Sequence, residues 1–529
     1  MKRLWLCGLF LFASLAACGD RGATVETDQI LHRGNGEEPE SLDIHKSTST
    51  EAGHVQRDFG EGLVGYTPDG ELRPAAAADW TLSEDGTVYT FNLRPDGRWS
   101  NGDPVTAQDF VFSYRRLVDP ATAALYTDSV NAVVHAAAIL RGDASPDTLG
   151  VEAAGDHALI ITLAQPVPYF VDLLAHPSMF PVHQASVDAL GDQFARPGNL
   201  VSNGAYRLDS WAVGSYIELQ RNEHYWDNAN TAIDRVRHYV TPQPDVELNR
   251  YRAGELDITR AIQPELFQQM LEERPDEVRV SPALGVYYYG FNMDNERFSD
   301  NMKLRQALSM AVDREAIVSL LGRGEKPAYS WVPPGTRNYD PQVYSWSGLS
   351  KDERKRRARQ LFEEAGFDEN NPLEISIRYN THNTHQKIAV AVQSMWRQEF
   401  GVEATLINED FQVLLANLHQ GNSEVFRLNW DGDYNDAHTF LTTLETDNSS
   451  NYTGYSSEEF DDLMTRAATQ VDPAARKLYL EEAERRMLRD YPLIPVYFTI
   501  NRSMVSTEVE GWGDNVLNYH YSQHLSLRR

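Results

Sequence analysis

The densest cluster of recognition-type side chains in this chain is Arg427-Leu-Asn429-Trp430-Asp431-Gly-Asp433-Tyr434-Asn435-Asp436. Three carboxylates stand there beside an arginine, a tryptophan and a tyrosine. A calcium loop would use Asp431, Asp433 and Asn435 at alternate positions. That pattern breaks twice, because Asp436 occupies the place of the loop glycine and Thr442 that of the closing glutamate. Two readings remain from the residues themselves. One is a solvated acidic turn paired locally with Arg427. The other is a carboxylate that takes a ligand amine beside an aromatic wall.

Other chemistry leaves no trace. No G-x-S-x-G, H-E-x-x-H, P-loop or G-x-G-x-x-G pattern occurs, and no base and nucleophile pair stands out. No catalytic residue is therefore assigned. His382 with His385 and His520 with His524 have the spacing to share a metal on a helix, but neither pair has an obvious third ligand nearby. They read as solvated or hydrogen-bonding histidines. The two cysteines are Cys7 and Cys18, which leaves the mature body without a disulfide, a cysteine zinc site or an iron–sulfur cluster. No metal and no cofactor is expected.

Cys18 points to location rather than catalysis. Lys2 and Arg3 precede an apolar run that ends in Leu15-Ala16-Ala17-Cys18. A positive start, a short apolar stretch and small residues before a cut make an export signal, too short to span a bilayer. Leu-Ala-Ala-Cys also resembles the lipobox of bacterial lipoproteins. That likeness implies removal of residues 1–17 and a lipid on Cys18. Residues 18–28 are small and polar and read as a tether. The expected place is periplasmic and lipid-anchored. Gly19, rather than Asp, follows Cys18, so the choice between inner and outer membrane stays open.

The remaining 512 residues can build two or three domains with cores of their own. Net charge is −29, and −31 once Lys2 and Arg3 leave. Nucleic acid is excluded as a partner, since phosphate binding needs a basic surface. An acidic monomer that does not stick to an anionic membrane fits the balance. The elements that must carry the cluster are mixed α and β. Turn signals at Pro68-Asp-Gly70, Asp85-Gly86, Pro95-Asp-Gly97 and Asn101-Gly102 predict a meander of short strands, Val88–Leu93 among them. Capping boxes at Thr106/Asp109 and Ser350/Glu353 open helices, the second stopping at Gly366. Strands are predicted at Ala158–Leu163, Tyr216–Gln220, Val286–Phe291 and Leu493–Ile500, and a helix at Lys303–Val312. A helix from Asp472-Pro473 should turn Ala475, Tyr479, Ala483, Met487 and Tyr491 inward.

Trp430 through Phe440 resembles the peptide-binding segment of the periplasmic oligopeptide-binding proteins, the solute-binding components of peptide ABC importers (extracellular solute-binding proteins, family 5). Further stretches match in order: Ser41–Lys46, Arg57–Leu63, Arg98–Phe110, Val167–Phe170, Ser202–Tyr206, Asn249–Glu255 and Ile494–Tyr497. The likeness covers essentially the whole mature chain. It implies an α/β clamp of the periplasmic-binding-protein type (type II, cluster C). Two lobes joined by a hinge, with an additional domain, close over an extended oligopeptide and deliver it to ABC permease subunits. The implied division is a discontinuous domain I (29–60, 185–285 and 501–529), domain II (61–184) and domain III (286–500). The same fold in relatives implies alternatives for the solute: a murein peptide, or a nickel or haem complex.

By position, the resemblance assigns the α-amino group of the ligand to Asp433. Arg427, Asn429, Trp430 and Asp431 line the ligand on the same segment, Tyr126 bonds the peptide main chain, and His385 meets the carboxyl end of certain peptides. Tyr288 is equally a ligand residue or a strand-packing one. Several positions depart from the family pattern. Asp431 and Gly285 stand where relatives carry a cystine, so that disulfide is absent. Thr48 replaces a glutamate, Phe411 a tryptophan and Leu418 an arginine. Preferred peptide length and sequence are not carried over.

Overall fold

The computed structural model describes residues 29–529, so the export signal, Cys18 and the tether lie outside the described residues. The chain forms an α/β clamp of two lobes. In the first lobe, the Ile30–Gly36 strand pairs in parallel with Arg235–Val240, followed by Tyr216–Arg221 and Tyr206–Ala212. A second four-stranded sheet in this lobe is the predicted meander, with Ala77–Leu82, Val88–Leu93, Ala158–Thr162 and Val151–Ala153 in that order. Gly70, Gly86 and Gly102 take positive φ at its turns, which side-chain-bearing residues adopt only at a cost. The Ala107–Val118 helix starts from the expected capping box and packs its Phe110, Tyr114 and Leu117 face on this sheet.

The two chain ends meet in the first lobe through a buried polar network. Asp58 accepts from the backbone and hydroxyl of Ser522 (2.8 and 2.7 Å) and lies 2.9 Å from His238 Nε2. Arg33, on the first strand, donates to His520 O (2.7 Å) and Ser522 Oγ (2.8 Å). A buried carboxylate is tolerable only with such a full set of partners.

The second lobe is built on a six-stranded sheet. Its order is Lys326–Pro327, Leu493–Met504, Val278–Phe291, Val425–Asp431, Glu374–Asn380 and Glu403–Glu409, with helices on both faces. Two of its strands run longer than predicted and join the lobes. Val278–Phe291 and Leu493–Met504 pair antiparallel from Val278↔Met504 to Gly290↔Leu493, with a register shift between Pro282 and Val286. Val278 and Met504 pack beside Leu248 and Tyr251 of the first lobe, whereas Val286 and Phe498 belong to the core of the second. Alternation in the apolar half was legible; the half that crosses between lobes has no continuous apolar face to mark it.

The Pro473–Asp490 helix corrects one expectation. Ala483, Met487 and Tyr491 are buried as predicted, but Ala475 and Tyr479 are only half-buried, and Arg476, Leu480 and Glu484 take the inward positions. The charges go inside because each has partners. Arg476 pairs bidentately with Asp436 (2.7 and 2.8 Å), and Glu484 accepts from Trp331 N, Val332 N, Gln342 N and Tyr339 Oη within 2.8 Å.

Candidate functional site

The Val425–Asp431 strand places the recognition cluster. It pairs antiparallel with Val278–Phe291, in the register Tyr289↔Arg427, Tyr287↔Asn429 and Gly285↔Asp431. Strand alternation sends Phe426 and Leu428 into the core and Arg427, Asn429 and Asp431 to the other face. On its second edge the strand pairs with Glu374–Asn380 only at Val425 and Phe426. Residues 427–431 therefore have no strand partner on that edge among the described residues. An extended chain could add there through main-chain hydrogen bonds.

Along that face a relay runs from cation to anion. Arg427 donates to Asn380 Oδ1 (3.0 Å) and Asn429 Oδ1 (3.2 Å), and Asn429 donates to Asp431 Oδ2 (2.8 Å). The Arg427 guanidinium also lies 4.3 Å from the centre of the Tyr287 ring. No carboxylate pairs with Arg427 among the described residues, so the acidic turn is not paired locally with it. Alternation puts Asn429 between them. Asp431 sits over Gly285, where an added Cβ would collide with its carboxylate and with Thr499. Burial raises the Asp431 carboxyl against the pull of Asn429 and Arg427.

After Asp431 the chain turns at Gly432, whose backbone N–H donates to Leu284 O (2.7 Å) and where a Cβ would meet Thr439 and Phe440. Asp433 follows, its backbone held by Thr439 Oγ1 (3.2 Å). Its carboxylate, open to the cleft, has no hydrogen bond or ion pair among the described residues. Burial raises its pKa, followed by the neighbouring charges of Asp128 and Asp431. The next residues are fixed firmly: Asn435 Oδ1 accepts from Arg337 N (3.0 Å), Asp436 holds Arg476, and the Tyr434 hydroxyl meets His438 Nδ1 (2.9 Å).

A cavity of about 480 Å³ opens in front of Asp433. Asp433 and Tyr434 line it from the second lobe, and Tyr126, Asp128, Gln165 and Tyr169 from the first. Tyr126 packs on His176 with ring centres 4.4 Å apart; burial, then Asp433, pushes its hydroxyl up to about 12. His385 lies at the other end of the cluster, its ring 5.7 Å from that of Tyr287. Burial, then Arg427, lowers its pKa to about 3, so it is neutral at physiological pH.

The assigned residues thus fall into separate places. Asp433 and Tyr126 share one cavity, while Arg427, Asn429, Asp431 and His385 share the relay face with Tyr287. Trp430 is half-buried with its indole N–H unpartnered. Tyr288 packs in the core, edge-on to Trp331 at 4.9 Å. Of the departures from the family pattern, Leu418 is core and Phe411 is exposed on the helix it begins. Asp128 and Tyr169 were not singled out from the sequence; Val167-Pro-Tyr-Phe170 was the available signal for Tyr169. No group of three or more His, Cys, Asp or Glu could hold a metal among the described residues.

Comparison with known proteins bears on the family and the fold. The chain is 39% identical over 520 residues to the periplasmic oligopeptide-binding protein OppA of Escherichia coli (strain K12), covering 97% of this chain and 95% of that one. The structure of MppA, a periplasmic murein tripeptide binding protein in its unliganded open form, superposes with a TM-score of 0.91 at 36% identity, covering 94% of this chain and 97% of that one. Haemophilus influenzae OppA in complex with RPPGFSPFR gives 0.69 at the same identity, covering 95% and 99%. At equal identity, the superposition is better on the unliganded open form than on the peptide complex. The family model for bacterial extracellular solute-binding proteins, family 5, matches residues 71–452, and the chain belongs to that family.

Proposed function

We propose that this protein captures oligopeptides outside the cytoplasm and hands them to an ABC import permease, and that it is a lipoprotein held to the membrane through Cys18. It acts as a monomeric receptor and not as an enzyme. The observation that carries the reading is Asp433, which among the described residues is a carboxylate without a cation, just past a strand whose second edge is unpaired at 427–431. A peptide offers what this arrangement lacks: an ammonium group for Asp433 and main-chain donors and acceptors for the edge. Arg427, with its Nε–H unpartnered, supplies positive charge toward the ligand's carboxylate. In the division proposed here, domains I and II form the first lobe and domain III the second, with the peptide between them.

Thermal melting with a mixed tripeptide pool tests the reading. Binding to the native state alone raises stability by about 2.7 kcal/mol at a ligand concentration of 100 Kd, which moves the midpoint upward. No shift with peptides, together with a shift by metal chelates or sugars, rejects it. The anchor is tested separately: Cys18→Ser should move the protein from the membrane to the soluble fraction.

A further inference from the structure

The two lobes touch at one end of the cleft. Tyr169 of the first lobe lies flat on Tyr434 of the second, ring centres 4.3 Å apart and planes 7° from parallel. His438 is 5.0 Å from the same ring. One turn further, in the Phe170–Leu173 helix, Asp172 accepts a hydrogen bond from the Arg337 guanidinium across the lobe boundary. The Asp172 side chain is 1% exposed and that of Arg337 18%. Arg337 in turn donates its backbone N–H to Asn435, two residues after Asp433. Trp80, Val167 and Val171 from one lobe and Tyr339, Ala437 and Leu480 from the other enclose a cavity of about 260 Å³ beside the pair.

Burial pushes the Asp172 carboxyl up to about 7 against the downward pull of Arg337; the ionised carboxylate is held by its arginine, because separating the two leaves a buried charge uncompensated. The contact therefore resists parting when the lobes swing. The covalent link between lobes is the pair of long strands around Pro282 and Ile500. The aromatic stack and the ion pair form a second, non-covalent link behind Asp433. We propose that Asp172 and Arg337 are the pivot contact of the clamp: they keep the amine pocket assembled across both lobes before ligand arrives, so that a peptide docks by its amino end and the lobes then close over the rest. This rests on the peptide reading above. Asp172 is a positioning residue, since it acts on the ligand only through Arg337 and Asn435.

The test compares Asp172→Asn, Arg337→Gln and the conservative Arg337→Lys with the unmutated protein. Small-angle scattering of the ligand-free protein reports lobe opening, and stopped-flow fluorescence with trialanine reports the rate of docking. Asp172→Asn and Arg337→Gln should enlarge the ligand-free radius of gyration and slow association about tenfold, because fewer molecules hold an assembled pocket. Arg337→Lys should recover most of the rate. If Asp172→Asn does not fold, Arg337→Gln removes the same contact from a less buried position. A lower melting midpoint with unchanged scattering and unchanged association makes the pair merely structural and overturns the proposal. Absence of trialanine binding in the unmutated protein instead defeats the peptide reading, and scattering alone then decides the pivot.

Discussion

The two ends of the cleft are built differently. At the amino end, Asp433 and Tyr434 of the second lobe already share a cavity with Tyr126, Asp128 and Tyr169 of the first. At the other end, Arg427 donates to Asn380 and Asn429 and, like His385, lies against the Tyr287 ring, all within the second lobe. One end already joins both lobes, while the other is built from the second lobe alone. Pre-assembly removes ordering cost from the binding step, so the amino end should carry most of the affinity and the carboxyl end should adapt.

Asp433→Asn gives the largest expected effect. It should weaken binding of free-amine tripeptides by about 2–4 kcal/mol, roughly 30- to 1,000-fold, and leave N-acetylated peptides almost unchanged. Equal losses for both ligands in isothermal titration would remove the amine role. Arg427→Gln should cost about tenfold, and only for peptides with a free carboxylate, since amidated ones lack the charge it meets. A loss as large as that of Asp433→Asn would break the contrast between the ends.

The pH dependence should be equally one-sided. Asp433 must be ionised to hold an ammonium group, and its carboxyl is raised from 3.8 by burial and by Asp128 and Asp431. Protons therefore compete with the amine, and affinity should fall as pH drops, beginning above the ordinary carboxylate range. His385, lowered to about 3, stays neutral through that window and adds no charge at the far end. Titrations from pH 7 to 4.5 check this; affinity that rises on acidification would assign the charge to His385 instead. Tyr126→Phe should have the smallest effect, about three- to fivefold, as expected for one neutral hydrogen bond of ~0.5–1 kcal/mol.

Much of this arrangement was legible before any coordinates. Short-range signals worked because their physics is local: the capping boxes at Thr106 and Ser350 and the glycine turns of the meander appear where expected. The inward face of the Pro473–Asp490 helix was misread because Arg476 and Glu484 look like surface residues until Asp436 and Trp331 are brought beside them. Arg427 likewise seemed the natural partner of the nearby acids, and only strand geometry placed Asn429 between them.

By itself the sequence determined the class of fold, the family and the candidate anchor, because those rest on motif order and on side-chain chemistry that travels with the residue. The tertiary structure decided that, among the described residues, Asp433 has no cation and 427–431 have one edge without a strand partner, and that Asp172 and Tyr169 reach across to Arg337 and Tyr434. Each of these joins positions far apart in the chain. Pairing, burial and the absence of a partner are properties of neighbours in space, and no local pattern records them.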